Sequence, residues 1–421
     1  MKNIDTLCVR AGYKPKNGET NTLPIYQSTT YYYESSDELA DLFDLKKDGH
    51  IYSRLSNPTN SAFEAKLAAM ENGKLAIACS SGQSATTLAI LNVCFAGDNV
   101  ICSSAVYGGT HNLLNVTLRK YGIEARFVNP TAPIEEIEKL IDDKTKAIIG
   151  ETIANPAIVV LDFDKFSTIS KKYGILFMVD NTLATPALIK PADFGANIIL
   201  HSTSKYLDGH AVALGGAIVD CDNFNFKGNP RYPEFNNPDE SYHGLVYSNV
   251  DCPFGIKIKA QMIRDIGSIM SPQNAFLTNL GCETLALRME RHSTNADTVA
   301  HFLEKQDMVE WVKYPTLKSF EYYDLAQKYL PNGCGGMMSF GLKGGRENAK
   351  KFMENLKMIS IVTHVADVRS CILHPASTTH RQLSSEALVE AGISDNLVRL
   401  SVGIENVNDI IEDIKQALEK L

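Results

Sequence analysis

FDKFSTISKKYGILFMVDN, residues 163–181, changes its periodicity in the middle. Up to Gly174, Phe166 and Ile169 follow Phe163 at helical spacing with polar residues between them, which predicts an amphipathic helix. After the glycine, five apolar residues run without alternation into Asp180. A strand that is apolar throughout is predicted to be covered on both faces. The same alternation extends in both directions. SAFEAKLAAMEN and QSATTLAILNVCF read as helices, and KLAIACSSG, NVICSS, EARFVN, TKAIIGET and NIILHS read as strands. Apolar strands separated by helices predict an α/β fold with a mainly parallel sheet between helical layers.

The 421 residues are too many for one simple core, so two domains are expected. Residues 1–60, rich in Tyr, Thr, Asn and Pro, read as an extended arm. A large domain is expected over 61–265, with an irregular insertion at 222–260, and a smaller α/β domain over 266–421. The second unit is read as opening with helices around IKAQMIRDIG and containing the strand GGMMSFGLKG and an amphipathic C-terminal helix. A net charge of −8 gives no electrostatic reason to expect nucleic acid or an acidic membrane. The N-terminal MKNIDTLCVRAGYK has no long apolar run, so neither a signal peptide nor a membrane anchor is expected. Nine cysteines without a CxxC pair favour reduced thiols in the cytoplasm, and no cluster suggests a metal.

Ligands of open parallel sheets collect beyond the carboxyl ends of the strands, and four polar signals fall there. SSGQSA, residues 80–85, could hold a phosphate on its amides, or could be a tight strand–helix turn. Asp180 ends an apolar strand, either capping the next turn or pairing with a protonated ring nitrogen. Lys205, in HSTSKYLDGH, could be an amine nucleophile or a solvated surface lysine. Tyr107, in SSAVYGGT, could stack on a flat ring or simply pack. Taken together, a phosphate cradle, a buried acid, an amine and an aromatic cover match the needs of pyridoxal 5'-phosphate.

At these residues the chain also resembles the Cys/Met-metabolism enzymes that depend on pyridoxal phosphate. The resemblance runs through TLCVRAGY, Tyr52-Ser-Arg54, SSGQSA, VYGGT, ETIANP, VDNT, HSTSKYLDGH, HPASTTHRQL and VRLSVGIE. It implies the aspartate-aminotransferase-like fold (fold type I) and a homotetramer of tight dimers with shared active sites. It further implies that Lys205 binds the cofactor aldehyde and Asp180 the ring nitrogen. Tyr107 would stack on the ring and assist proton transfer, and Asn155 would lie near its hydroxyl. Gly82, Gln83, Ser202 and Ser204 would cradle the phosphate, with Tyr52 and Arg54 reaching it from the arm of the neighbouring subunit. Arg399 would clamp the substrate carboxylate, with Tyr52 and His364 also at the substrate; His364 departs from the Asn or Ser usual there.

Within the family, the length, the insertion, the 363–384 segment and Gly109 resemble the O-acetylhomoserine sulfhydrylase branch. That implies γ-replacement, in which O-acetyl-L-homoserine and sulfide or methanethiol give L-homocysteine or methionine plus acetate. Methionine γ-lyase and cystathionine γ-synthase or lyase activities are the alternatives, and a non-catalytic scaffold is a third. His201, His210, His374 and His380 are expected to serve mainly structural roles.

Overall fold

The computed structural model describes residues 2–44, 46–379, 381 and 392–421. His380 lies outside them, as does part of the HPASTTHRQL motif. Seven strands form the larger sheet: β1 (Leu75–Cys79), β2 (Asn99–Ser103), β3 (Glu124–Val128), β4 (Thr145–Glu151), β5 (Leu176–Asp180), β6 (Ile198–His201) and β7 (Gly216–Asp220). Their order is β1-β7-β6-β5-β4-β2-β3. Strands β3, β2, β4, β5 and β6 pair in parallel, and β7 is antiparallel to both of its neighbours.

Side chains alternate between the two faces of a strand, and both faces are buried here. Ile101, Ile148, Phe177, Val179 and Ile199 enter one core. Val100, Cys102, Ile149, Met178, Ile198 and Leu200 enter the other. The helix Phe163–Tyr173 covers the first face with Phe163, Phe166 and Ile169, all fully buried. Asp162 caps it by accepting from the Lys165 amide at 3.3 Å, and Gly174 ends it at φ +62°. Each such phenyl ring contributes about 1.5–3 kcal/mol by burial.

Strand β7 was not among the strands read from the sequence. GAIVD is short and follows a glycine pair, so it carries no helix–strand alternation of its own. Residues 222–260 hold short helical turns around a cluster of aromatic rings in which Phe226 and Phe235 stack at 4.1 Å. IKAQMIRDIG continues a helical run from Pro253, with wide π-turns over Ile258–Ile263.

A second sheet of order β10-β11-β12-β9-β8 follows. It comprises β8 (Val309–Lys313), β9 (Met337–Leu342), β10 (Ser360–Ile361), β11 (Cys371–Leu373) and β12 (Leu397–Ser401). Only β9 was legible as a strand, because it alone is six residues long and wholly apolar or small. Strand β12 pairs antiparallel with β9 and carries Arg399 opposite Ser339. The helix Val407–Leu418 packs against the helices Leu285–Leu303 and Gly345–Asn355 and buries Ile410 and Ile414. Among the described residues, no helix is long and apolar enough to cross a membrane.

Phe177, central in β5, is fully buried between two layers. Phe177→Ala is expected to destabilise the chain by about 3–5 kcal/mol, read as a lower denaturant midpoint. An unchanged midpoint would contradict the described packing.

Candidate active site

A cavity of about 460 Å³ opens beyond the carboxyl ends of β4, β5 and β6. Its wall includes Gly82, Gln83, Tyr107, Asn155, Asp180, Ser202, Ser204, Lys205, His364 and Arg399. Ten of the twelve residues predicted from sequence therefore meet in one place. The other two, Tyr52 and Arg54, do not line it. Arg54 stacks 5.4 Å from the Tyr52 ring centre and donates to the carbonyl of Arg264.

At one end of the cavity the helix Gly82–Leu91 begins, with Ser81 accepting from the Ser84 amide at 3.1 Å. Helix N-termini present unpaired amides and suit an anion. Glycine is required at residue 82, since a Cβ there would lie 2.7 Å from the Ser202 Cβ. Ser202 is fixed by its amide, which donates to Thr182 Oγ1 at 2.8 Å. Ser204 shares its hydroxyl with Gly215, donating to the carbonyl at 3.2 Å and accepting from the amide at 3.0 Å.

Asp180 accepts from the Thr182 amide at 2.9 Å, yet burial pushes its carboxyl above the ordinary range. Glu151 stands opposite it in the register of β4 and β5. Burial and then the charge of Asp180 push Glu151 up as well. Neither carboxyl has a lysine or arginine partner among the described residues. A cation placed here would relieve both. Glu151 was missed in the sequence, although it opens ETIANP and ends a strand just as Asp180 does. It accepts the Tyr107 amide at 2.5 Å and so fixes the aromatic loop. The Tyr107 ring lies over Gly109, where a Cβ would come within 2.4 Å of it.

Lys205 is pushed down to about 8, first by burial and then by the positive charge of Arg399. Its Nζ meets His364 Nδ1 at 3.2 Å. Arg399 is buried and is likewise pushed down, to about 10. It donates only to the carbonyls of Thr363 and His364, at 3.3 and 3.5 Å, with no ion pair among the described residues. Asn155 Oδ1 is buried without a hydrogen-bond partner among the described residues. An anion cradle, two uncompensated carboxyls, an unpaired guanidinium, an orphaned amide oxygen and a low-pKa amine together fit pyridoxal phosphate and an amino-acid carboxylate.

Of the other histidines singled out in the sequence, the three that are described make contacts within the fold. His201 Nε2 lies 2.6 Å from the buried Glu71. His210 Nδ1 contacts the Asp208 carbonyl at 2.7 Å, and His374 contacts Ser377 and the Asp395 carbonyl, each at 2.9 Å.

Because an ordinary lysine titrates near 10.4, an amine reagent applied to the cofactor-free chain should label Lys205 half-maximally near pH 8. Peptide mapping across pH checks this; a midpoint above about 10 would contradict the burial described.

Known proteins resemble this chain over nearly its whole length. An O-acetyl-L-homoserine sulfhydrylase of Leptospira meyeri is 42% identical over 429 residues, covering 99% of this chain and 97% of its own. A homocysteine synthase of Schizosaccharomyces pombe is 42% identical over 423 residues, covering 99% and 98%. The crystal structure of a protein assigned as an O-acetylhomoserine (thiol)-lyase from Campylobacter jejuni superposes with a TM-score of 0.96 at 43% identity, covering 99% of this chain and all of that one. That crystal structure carries N'-pyridoxyl-lysine-5'-monophosphate at its position 205. The fold is thus type I of the pyridoxal-phosphate enzymes. With the family model matching residues 5–419, the chain belongs to the Cys/Met metabolism PLP-dependent enzymes.

Proposed function

We propose that this chain is an O-acetylhomoserine sulfhydrylase, converting O-acetyl-L-homoserine and sulfide to L-homocysteine and acetate, with methanethiol giving methionine. The observation that carries the reading is the pair of cations, half-buried Lys205 and buried Arg399, which share a cavity and have no carboxylate partner among the described residues. An amino acid supplies the missing anion. The relatives named above direct the choice to the acetyl ester.

Lys205 would hold the cofactor through its amine, and Asp180 would face the ring nitrogen. Gly82, Gln83, Ser202 and Ser204 would take the phosphate, Asn155 the ring hydroxyl, and Tyr107 the ring face. When bound, the cofactor supplies an electron sink that makes the substrate α-proton acidic. Lys205 Nζ, neutral in a larger fraction than an ordinary lysine, is the base that takes this proton. Arg399 orients the substrate through two parallel hydrogen bonds to its carboxylate. In the net reaction the Cγ–O bond breaks, acetate leaves with the electron pair, and sulfide forms the new Cγ–S bond. His364 stands beside Arg399 at the carboxylate end. Tyr52, 39% exposed, and Arg54 would reach the phosphate of a neighbouring copy, with residues 1–60 as the arm of a homotetramer and the reaction placed in the cytoplasm.

A donor panel assayed with and without sulfide tests the assignment. Homocysteine formation from O-acetyl-L-homoserine is expected, and release of 2-oxo acid and ammonia from methionine without homocysteine synthesis would overturn it. Lys205→Ala should lower turnover about 10²–10⁴-fold or more. Arg399→Leu should raise KM roughly 30-fold, the equivalent of about 2 kcal/mol.

A further inference from the structure

Strand β9 gives no side chain to the cavity wall, yet it meets two residues that do. Ser339 within it is wholly buried, and its Oγ donates to the Pro156 carbonyl at 2.7 Å. Pro156 directly follows Asn155, which lines the cavity. In the sheet, Ser339 stands opposite Arg399 in the antiparallel register of β9 and β12. Residues opposite one another in such a ladder project from the same face, with Cβ atoms about 5 Å apart. Their neighbours Met338, Phe340, Val398 and Leu400 all enter the core on the other face. One residue therefore touches the turn that carries Asn155 and flanks the residue that carries the guanidinium.

Both of those groups need a hold from outside. The Asn155 turn closes on itself: the Ala154 amide donates to the Val159 carbonyl at 2.9 Å, and the Ile158 amide to the Ala154 carbonyl at 2.8 Å. It does so with Ile158 at φ +60°, a left-handed conformation that strains a β-branched residue. A strained backbone keeps its shape only where its surroundings hold it. The Ser339 hydrogen bond is such a restraint, and it comes from 183 residues away. Arg399 donates to two carbonyls at 3.3 and 3.5 Å, longer than the usual length of about 3 Å. Its guanidinium is thus placed mainly by the strand that bears it.

We propose that Ser339 is a positioning residue that fixes Asn155 relative to Arg399, and so sets the cofactor ring hydroxyl against the substrate carboxylate. The proposal rests on the reading of Asn155 and Arg399 as cofactor and substrate contacts. Ser339 touches neither ligand, since it lies outside the cavity wall. It acts by holding the Pro156 carbonyl against β9. Removing the hydroxyl takes a hydrogen bond from a buried residue and releases the strained turn. Asn155 is then free to shift away from the place that Arg399 and β12 define.

The test uses the full chain, stripped of cofactor for one measurement and fully loaded for the other. Ser339→Ala should raise the Kd for pyridoxal phosphate, read by equilibrium dialysis, about tenfold, the usual weight of a lost buried hydrogen bond. It should raise KM for O-acetyl-L-homoserine by roughly the same factor, with kcat at saturation within about threefold of the unsubstituted chain. In an Asn155→Ala background, Ser339→Ala should raise the Kd no further, because Asn155 carries its effect on the cofactor. A lower melting temperature with Kd and KM both unchanged would mark a purely structural hydroxyl and overturn the proposal. A rise in only one of the two constants, or additive effects on Kd, would overturn it too. If Ser339→Ala does not fold, Ser339→Cys, close in size and a weaker donor, is read by the same two constants. An unsubstituted chain that fails to bind pyridoxal phosphate, or to turn over O-acetyl-L-homoserine, would overturn the underlying reading of the site instead.

Discussion

Half-buried Lys205 and buried Arg399 are two cations in one cavity, and among the described residues neither is answered by a carboxylate. Burying one unpaired charge is unfavourable, and burying two of the same sign compounds the penalty. The chain meets part of it by lowering the proton affinity of Lys205, which brings a neutral amine within reach of physiological pH. The rest is left for an anionic ligand. At the opposite side of the charge pattern stand the half-buried Asp180 and the buried Glu151; desolvation raises the proton affinity of both, and the charge of Asp180 raises that of Glu151 further. A ligand with a positive ring nitrogen and a negative carboxylate matches both halves.

The fold supplies the separation between these groups. Parallel strands β4, β5 and β6 end on one side of the sheet, so Glu151, Asp180 and Ser202 emerge together from a frame buried on both faces. The smaller sheet contributes Arg399 from β12, and the segment before β11 contributes His364. Close packing adds the exacting local constraints. Residue 216 must lack a side chain, because a Cβ there would lie 2.0 Å from the Ser81 carbonyl oxygen and displace the start of the anion cradle. A cysteine at residue 109 would meet the Tyr107 ring in the same way.

Much of this was legible because parallel strands are written as unbroken apolar runs and their functional residues as polar interruptions at the ends. Asp180 and Lys205 stand out for that reason. Strand β7 and the shortest strands of the second sheet did not: no helix separates β7 from β6, and β10 and β11 are only two and three residues long. Glu151 went unnoticed because a glutamate in a polar motif looks solvated until the register places it against Asp180. The pairing of His364 with Lys205 joins residues 159 apart in sequence, so no local pattern could announce it. Tyr52 and Arg54 lie outside the cavity of their own chain, and only the resemblance, with no local pattern of their own, pointed to them.

The central claim is that the half-buried amine of residue 205 is where this enzyme holds its cofactor. Borohydride reduction of the fully loaded protein, followed by digestion and mass spectrometry, tests it most directly. The account predicts a stable pyridoxyl group on the peptide containing HSTSKYLDGH, at Lys205. A fully loaded sample whose label lies on any other lysine, or on none, would contradict it.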